Sequence, residues 1–172
     1  CRCFDCRQVL YEESMFDGQK VSKSRIITSV DYSMVSMEAF EIYATNHDIH
    51  VMDFVLKLDA YSYYMMNLLD YLIGNTDRHW GNWGFLVDNR TNQPVRLFDL
   101  MDLNQTFLAY DTPDGANCMT TGNRKMSQRE AAVEAVKNIG LNQKDEIKDE
   151  WFKGREKERE MFWCRFGILK EQ

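Results

Sequence analysis

The chain has 172 residues, of which 44% are hydrophobic and 28% charged, and its net charge is −6. This length fits one domain, and the apolar share is enough to build a core, which excludes a disordered or low-complexity chain. Nucleic-acid binding is also disfavoured, because proteins with that function present a basic face.

The sequence contains no stretch typical of a membrane span. Its most apolar run, residues 61–73, is interrupted by Asn67 and Asp70, whereas a span needs about 18 uninterrupted apolar residues. We therefore expect a soluble chain with no membrane partner.

The five cysteines are an odd number in a chain too large to need disulfide bonds. Free thiols in a reducing cytoplasm are therefore expected. Cys1, Cys3 and Cys6 form a tight group, but no fourth zinc ligand lies nearby in the sequence, so we interpret them as plain thiols.

Residues 1–30 are of mixed character. Their strongest strand signal is residues 25–30, because β-branched side chains cluster there. Ser33 or Ser36 is then suitably placed to begin a helix that ends near Asn46.

The strongest helical signal covers residues 54–73, with Asp53 as the predicted N-cap. Apolar residues recur there at three- and four-residue spacing and cover a wide face. The pattern predicts a central, largely buried helix, and Gly74 and Asn75 are expected to end it.

A β-hairpin is predicted after this helix. Residues 83–87 and 95–98 have strand character, and the polar residues 88–92 form the turn between them.

The rest of the chain is predicted to be an irregular loop followed by helices. Residues 109–125 form the loop, and Ser127 with Glu130 forms a capping box for a helix that ends at Gly140. Residues 143–169 indicate one or two further helices. The predicted fold class is therefore α+β, mostly helical, with a short β-hairpin.

Residues suited to phosphoryl transfer stand at both ends of the hairpin. Asp77 and Asn82 follow the long helix, and Asp99 follows the second strand. A hairpin returns close to its start, so we expect Asp99 beside Asn82. Phosphoryl transfer uses one carboxylate that takes a proton from the acceptor hydroxyl. It also uses a carboxylate and an amide oxygen that hold magnesium. Asp102 is the alternative to Asp99.

The segment Thr76-Asp77-Arg78-His79-Trp80-Gly81-Asn82, followed by an apolar strand, resembles the catalytic loop of HipA-type kinases. These bacterial toxin and serine/threonine kinases share the pattern Thr-Asp-x-His-x-x-Asn and a protein-kinase-like fold. The resemblance covers about residues 68–107. It implies that Asp77 is the catalytic base, that Asn82 and Asp99 bind magnesium and nucleotide, and that His79 supports the loop.

The resemblance also implies a function and a domain organisation. ATP would be the co-substrate, together with Mg²⁺, and the acceptor would be a serine or threonine hydroxyl of a protein. An antitoxin or another regulatory protein would be a partner. Residues 31–172 would be the C-terminal lobe, and residues 1–30 a remnant of the region between the lobes. Since the chain begins with Cys1, we expect the N-terminal lobe to lie upstream or to have been lost.

The chain departs from the kinase pattern in two ways. Asp99 is followed by Leu100 and Met101 rather than by Phe-Gly, and no Gly-rich phosphate loop or Val-Ala-x-Lys strand precedes the long helix. Whether the C-terminal lobe is active by itself thus stays open.

Three other interpretations also stay open. In the first, the chain is a non-catalytic scaffold or regulatory protein. In the second, it is a lipid kinase, because phosphatidylinositol kinases share the pattern Asp-Arg-His-x-x-Asn, and His79 would then act nearer the chemistry. In the third, Asp77 and Asn82 only form the turn after the long helix.

Overall fold

In this computed structural model, residues 3–108, 110–121 and 126–172 are described, and they form five strands and four α-helices. In chain order these are β1 (Tyr11–Phe16), β2 (Gln19–Ser24), β3 (Tyr32–Ser36), α1 (Met37–Asn46), α2 (Val51–Ile73), β4 (Gly84–Asp88), β5 (Gln93–Leu97), α3 (Gln128–Ile139) and α4 (Glu156–Lys170), with a 3₁₀ turn at Asp149–Phe152. None of these helices is both long and apolar enough to cross a bilayer.

Helix α2 forms the centre of the core. Every residue from Tyr63 to Leu72 is buried, including the polar Asn67 and Asp70. The helix packs against α3, α4 and strand β5, which explains why its apolar residues cover more than one face. The central buried helix predicted from the sequence is confirmed.

The start of α2 differs from the prediction. The helix begins at Val51, and the His50 ring, rather than Asp53, caps it by accepting the Asp53 N–H at 3.4 Å. Its end is as predicted, because Gly74 takes the left-handed conformation, with φ of 62°, that a helix C-terminus favours.

A kink divides α2 at Asp59, whose φ of −155° and ψ of 63° are not helical. Its carboxylate accepts the Ser62 N–H at 3.2 Å and so caps the buried second section of the helix. It also accepts the Leu97 N–H of β5 at 3.1 Å and pairs with Arg7 at 2.6 Å. The kink therefore connects the helix to the sheet and to the N-terminal segment.

The predicted hairpin is confirmed as β4–β5, and a third strand extends it. The antiparallel sheet has the order β3-β4-β5, with Ser36 opposite Gly84 and Phe85 opposite Leu97. Strand β3 lies just after the segment that was predicted as a strand. That prediction for residues 25–30 is wrong, because Ile26 and Val30 are 80% and 92% exposed and pair with no strand.

A second hairpin, β1–β2, was not predicted. Its two strands pair from Tyr11 opposite Ser24 to Phe16 opposite Gln19. Most of its side chains are exposed, so the alternation of buried and exposed residues that marks a strand in the sequence is missing.

The smaller helices follow their predicted caps. Ser36 accepts the Ala39 N–H at the start of α1, and Ser127 and Glu130 form the reciprocal capping box of α3. The region predicted as one or two helices contains the 3₁₀ turn and α4. Residues 110–121 of the predicted loop are irregular, while residues 109 and 122–125 lie outside the described residues.

The residues before β1 pack against the main core. Cys3 and Phe4 are buried in the same cluster as α2. The Val9 N–H donates to the Leu100 carbonyl at 2.9 Å, and the Leu100 N–H donates to the Arg7 carbonyl at 3.0 Å. This segment therefore lies beside the chain that follows β5.

We expect Gly84→Ala to destabilise the fold. A Cβ atom at this position would stand 2.1 Å from the Val35 carbonyl oxygen, which would push β3 away from β4 at a cost of about 1–3 kcal/mol. Gly167→Ala is the matched control, because nothing lies within 4 Å of its added Cβ and the residue is helical. That change should stabilise by up to about 1 kcal/mol. Urea denaturation of both variants tests this, and equal stabilities would contradict the β3–β4 contact.

Candidate active site

The β4–β5 hairpin brings Asn82 and Asp99 to the same cavity, as the sequence predicted. The Phe98 N–H donates to the Gly84 carbonyl at 2.8 Å, which joins the two ends of the hairpin. Both polar residues line a cavity of about 160 Å³, together with residues of α2 and of the segment Asp5 to Arg7.

Asn82 presents an oxygen that has no partner. Its side chain is 4% exposed, and its amide nitrogen donates to the Asp77 carbonyl. The other side-chain atom, Oδ1, is buried and has no hydrogen-bond donor. A buried acceptor left without a partner is costly, so this oxygen is suited to a ligand that enters the cavity.

Asp99 is paired with an arginine. The Arg96 Nη1 atom lies 2.6 Å from Asp99 Oδ1 and also donates to the Leu97 carbonyl at 2.8 Å. The Asp99 side chain is mostly buried. A cation that binds Asp99 would therefore share this carboxylate with the guanidinium.

Asp77 and His79 lie outside the cavity lining, and both side chains are about half exposed. The Gly81 N–H donates to His79 Nδ1 at 3.0 Å, so the neutral ring carries its proton on Nε2. That atom is 4.0 Å from the Asp77 carboxylate, too far for a hydrogen bond. Asp77 is joined to the cavity through its carbonyl, which accepts from Asn82.

Asp102, the alternative to Asp99, takes a different position. Its backbone has a φ of 55°, and it is absent from the described residues that line the cavity.

The sequence analysis missed a buried ion pair behind the loop. Arg78 is 2% exposed and binds the Asp70 carboxylate through Nε at 2.8 Å and Nη2 at 3.0 Å. Its Nη1 donates to the Asn82 carbonyl at 3.2 Å and to the Met101 carbonyl at 2.6 Å. The polar Asp70 in the most apolar helix was the available signal. The HipA-type pattern leaves the Arg78 position open, and so it gave no signal for this ion pair.

The half-buried Cys6 thiol in the cavity wall has a raised pKa. Desolvation raises this pKa to about 11, and the N-terminus and Arg7 lower it by less. A thiol with this pKa is mostly protonated at neutral pH and is therefore a weak nucleophile. Cys1, the first of the grouped cysteines, lies outside the described residues.

The donor atoms of the cavity suit magnesium. Amide and carboxylate oxygens are the ligands that Mg²⁺ prefers, and this ion usually takes only one or two carboxylates and fills its other positions with water and phosphate oxygens. Asn82 and Asp99 fit that limited contribution. Over the described part of the chain, no three His, Cys, Asp or Glu side chains are grouped to hold a metal, so an all-protein cage is not formed there.

Comparison with known proteins defines the fold. The chain matches no protein-family model and no curated protein sequence. Its structure is similar to the crystal structure of CtkA, a proinflammatory kinase of Helicobacter pylori, with a TM-score of 0.61 and 16% identity over 95% of this chain and 78% of that chain. The chain therefore has a kinase-like fold. At this identity the similarity concerns the fold alone, so the HipA-type assignment and the missing lobe stay predictions.

We expect Asp70→Asn to destabilise the protein by about 3–5 kcal/mol, because it leaves the Arg78 guanidinium buried without its counter-ion. The control is Asp114→Asn, which removes the partner of Arg129 from an exposed pair of similar length, 3.0 Å. An exposed pair contributes at most about 1 kcal/mol. Chemical denaturation measures both, and similar losses in the two variants would show that the buried pair is not a structural constraint.

Iodoacetamide labelling at pH 8 should modify the exposed Cys164 well before Cys6. With a pKa of about 11, only about 0.1% of the Cys6 side chains are thiolate at this pH. Because the pKa is raised, the Cys6 rate should increase about tenfold per pH unit up to that value. Peptide mapping by mass spectrometry follows each site, and urea-unfolded protein is the control. Equal rates in the folded protein would mean that Cys6 is not buried.

Proposed function

We propose that the chain carries out ATP- and magnesium-dependent phosphoryl transfer to a serine or threonine hydroxyl of a protein, in the manner of HipA-type kinases. Two independent findings support this proposal. The fold is similar to that of a kinase, and Asn82 and Asp99, the two residues to which the resemblance gives magnesium binding, line one cavity.

The observation that carries the proposal is the unpartnered Asn82 Oδ1 atom. This atom is buried, and Asn82 lines the cavity that Asp99 also lines. If Asn82 only formed a turn, its side-chain oxygen would be expected to accept a backbone N–H or to face water. A cation bound by this oxygen and by the Asp99 carboxylate would explain why the oxygen is buried without a protein partner and why both residues line one cavity.

The roles of the residues follow from their positions. Asn82 and Asp99 would hold Mg²⁺, which neutralises phosphate charge when it is bound. Asp77 would orient the acceptor hydroxyl and take its proton, and its half-exposed carboxylate leaves room for an acceptor to approach. His79 supports the loop through its contact with the Gly81 N–H.

The cavity suits the phosphate end of ATP better than the whole nucleotide. Its volume of about 160 Å³ is below the roughly 300–1000 Å³ of typical ligand pockets. Arg7 and Arg78 line it but are paired with Asp59 and Asp70, so Mg²⁺ would supply the positive charge toward the phosphates. The adenosine would be held by another surface, which we assign to an upstream lobe in the native reading frame.

Autophosphorylation of the native reading frame with ATP and Mg²⁺, followed by intact-mass spectrometry, tests the proposal. Asp77→Asn and Asp99→Asn should each lower the rate at least about a hundredfold. Asp102→Asn is the matched control for Asp99→Asn, since Asp102 lies outside the cavity that Asp99 lines, and it should keep near-normal activity. Normal activity in Asp77→Asn would remove that residue from the mechanism.

A non-catalytic scaffold is the second candidate, and the Arg96–Asp99 pair favours it. A guanidinium 2.6 Å from the carboxylate already balances the charge that a metal would otherwise neutralise. Equilibrium binding of ATP with and without Mg²⁺ separates the two candidates. An absence of both phosphoryl transfer and magnesium-dependent ATP binding would support the scaffold.

A further inference from the structure

A second, larger hollow lies on the other side of α2 from the cavity. This groove has a volume of about 880 Å³, which is within the range of sites that bind ligands. Its floor is formed by Tyr63, Tyr64 and Asn67 of α2, and its walls come from the region between α1 and α2, from Met119 and from α3.

The catalytic-loop segment separates the groove from the cavity. Met65 lines the cavity and Asn67 lines the groove, and two residues along a helix correspond to a rotation of about 200°. On the loop itself, Asn82 faces the cavity while Trp80 lines the groove, with its indole N–H bonded to the Met119 carbonyl at 3.0 Å. Asp77 and His79 lie three residues and one residue before Trp80 along the chain, so the loop that carries them borders the groove.

The described lining of the groove is acidic. Glu41, Asp53 and Glu134 line it, and none of its described lining residues is lysine or arginine. Within the described part of the chain, these three carboxylates form no ion pair with a lysine or an arginine, and Asp53 is paired with His50 at 3.1 Å. Such an arrangement favours a cationic ligand by charge complementarity.

The carboxylates of the groove do not form a closed metal site. The three carboxylates are not grouped closely enough to share one ion, since no metal-binding group of acidic, His or Cys side chains occurs among the described residues. Between them lie apolar and aromatic side chains, including Ile49, Leu56 and Trp80. The ligand is therefore extended and carries both separated positive charges and apolar groups.

We propose that this groove binds a basic peptide segment, with lysine or arginine side chains against the carboxylates and apolar side chains on the aromatic floor. This inference deepens the proposed function, on which it rests. The segment is the part of the protein substrate that flanks the phosphorylated residue. Bound on this side of the loop, it presents its hydroxyl to Asp77, while ATP approaches from the cavity side.

Peptide binding without ATP tests this inference separately from catalysis. The probe is a fluorescein-labelled peptide of arginine, leucine and serine residues, and fluorescence anisotropy measures its Kd. The triple variant Glu41→Gln, Asp53→Asn, Glu134→Gln should weaken binding about tenfold or more, because each lost charge contributes up to about a factor of five. Binding to the unchanged protein should also weaken as salt is added.

Two controls make the result specific. The variant Glu146→Gln, Glu156→Gln, Glu160→Gln removes the same charge from exposed positions outside the groove lining and should bind as the unchanged protein does. A peptide with glutamate in place of arginine should bind at least about tenfold more weakly. Equal affinities of the two triple variants, or of the two peptides, would overturn the proposal. Arg124 and Lys125, outside the described residues, stay unchanged throughout.

Asp77→Asn distinguishes the failure of this inference from the failure of the proposed function. The variant should bind the basic peptide normally even though it transfers no phosphate. If the unchanged protein phosphorylates itself but binds the basic and acidic peptides alike, the groove assignment fails and the kinase assignment stands. If the peptide binds specifically but no phosphate is transferred, the groove is a peptide site of a scaffold and its role in substrate presentation is refuted.

Discussion

The Asp70–Arg78 ion pair is the constraint on which the geometry of the candidate site depends. Two charges withdrawn from water are costly unless every polar atom is satisfied. Here Nε and Nη2 of Arg78 bind both carboxylate oxygens of Asp70, and Nη1 binds the carbonyls of Asn82 and Met101. One buried guanidinium therefore joins the central helix, the loop that follows it and the chain beyond β5.

Asp59 completes this arrangement from the other end of the buried section of α2. Its carboxylate holds the Leu97 N–H, two residues before Asp99, while Asp70 acts through Arg78 on Met101, two residues after Asp99. Both flanks of Asp99 are thus fixed to the same helix. The metal binding that we propose for Asp99 requires a position set by rigid elements rather than by a flexible loop, and the two aspartates of α2 supply that rigidity.

Sequence patterns predicted the features that depend on neighbouring residues. The periodicity of α2, the Ser127 capping box and the β4–β5 turn are local, and the structure confirms each of them. Strand β3 and the hairpin β1–β2 were missed because strand pairing is a long-range property and their side chains do not alternate between buried and exposed. The ion pair of Arg78 was missed for a related reason, since a sequence does not distinguish a buried arginine from a solvated one.

Local charges, rather than the net charge, decide which ligands the two hollows favour, because charge interactions are screened beyond about 10 Å. In the cavity Arg78 is paired with Asp70 and Arg7 with Asp59, and Asp5 and Asp99 also line it, so its arginines leave no excess of positive charge. A polyphosphate would therefore depend on a cation held by Asn82 and Asp99 to balance its charge there. The described lining of the groove contains carboxylates and no arginine or lysine, so it disfavours a polyphosphate and favours a basic peptide. This difference favours the two substrates binding on different sides of α2, as in-line transfer requires.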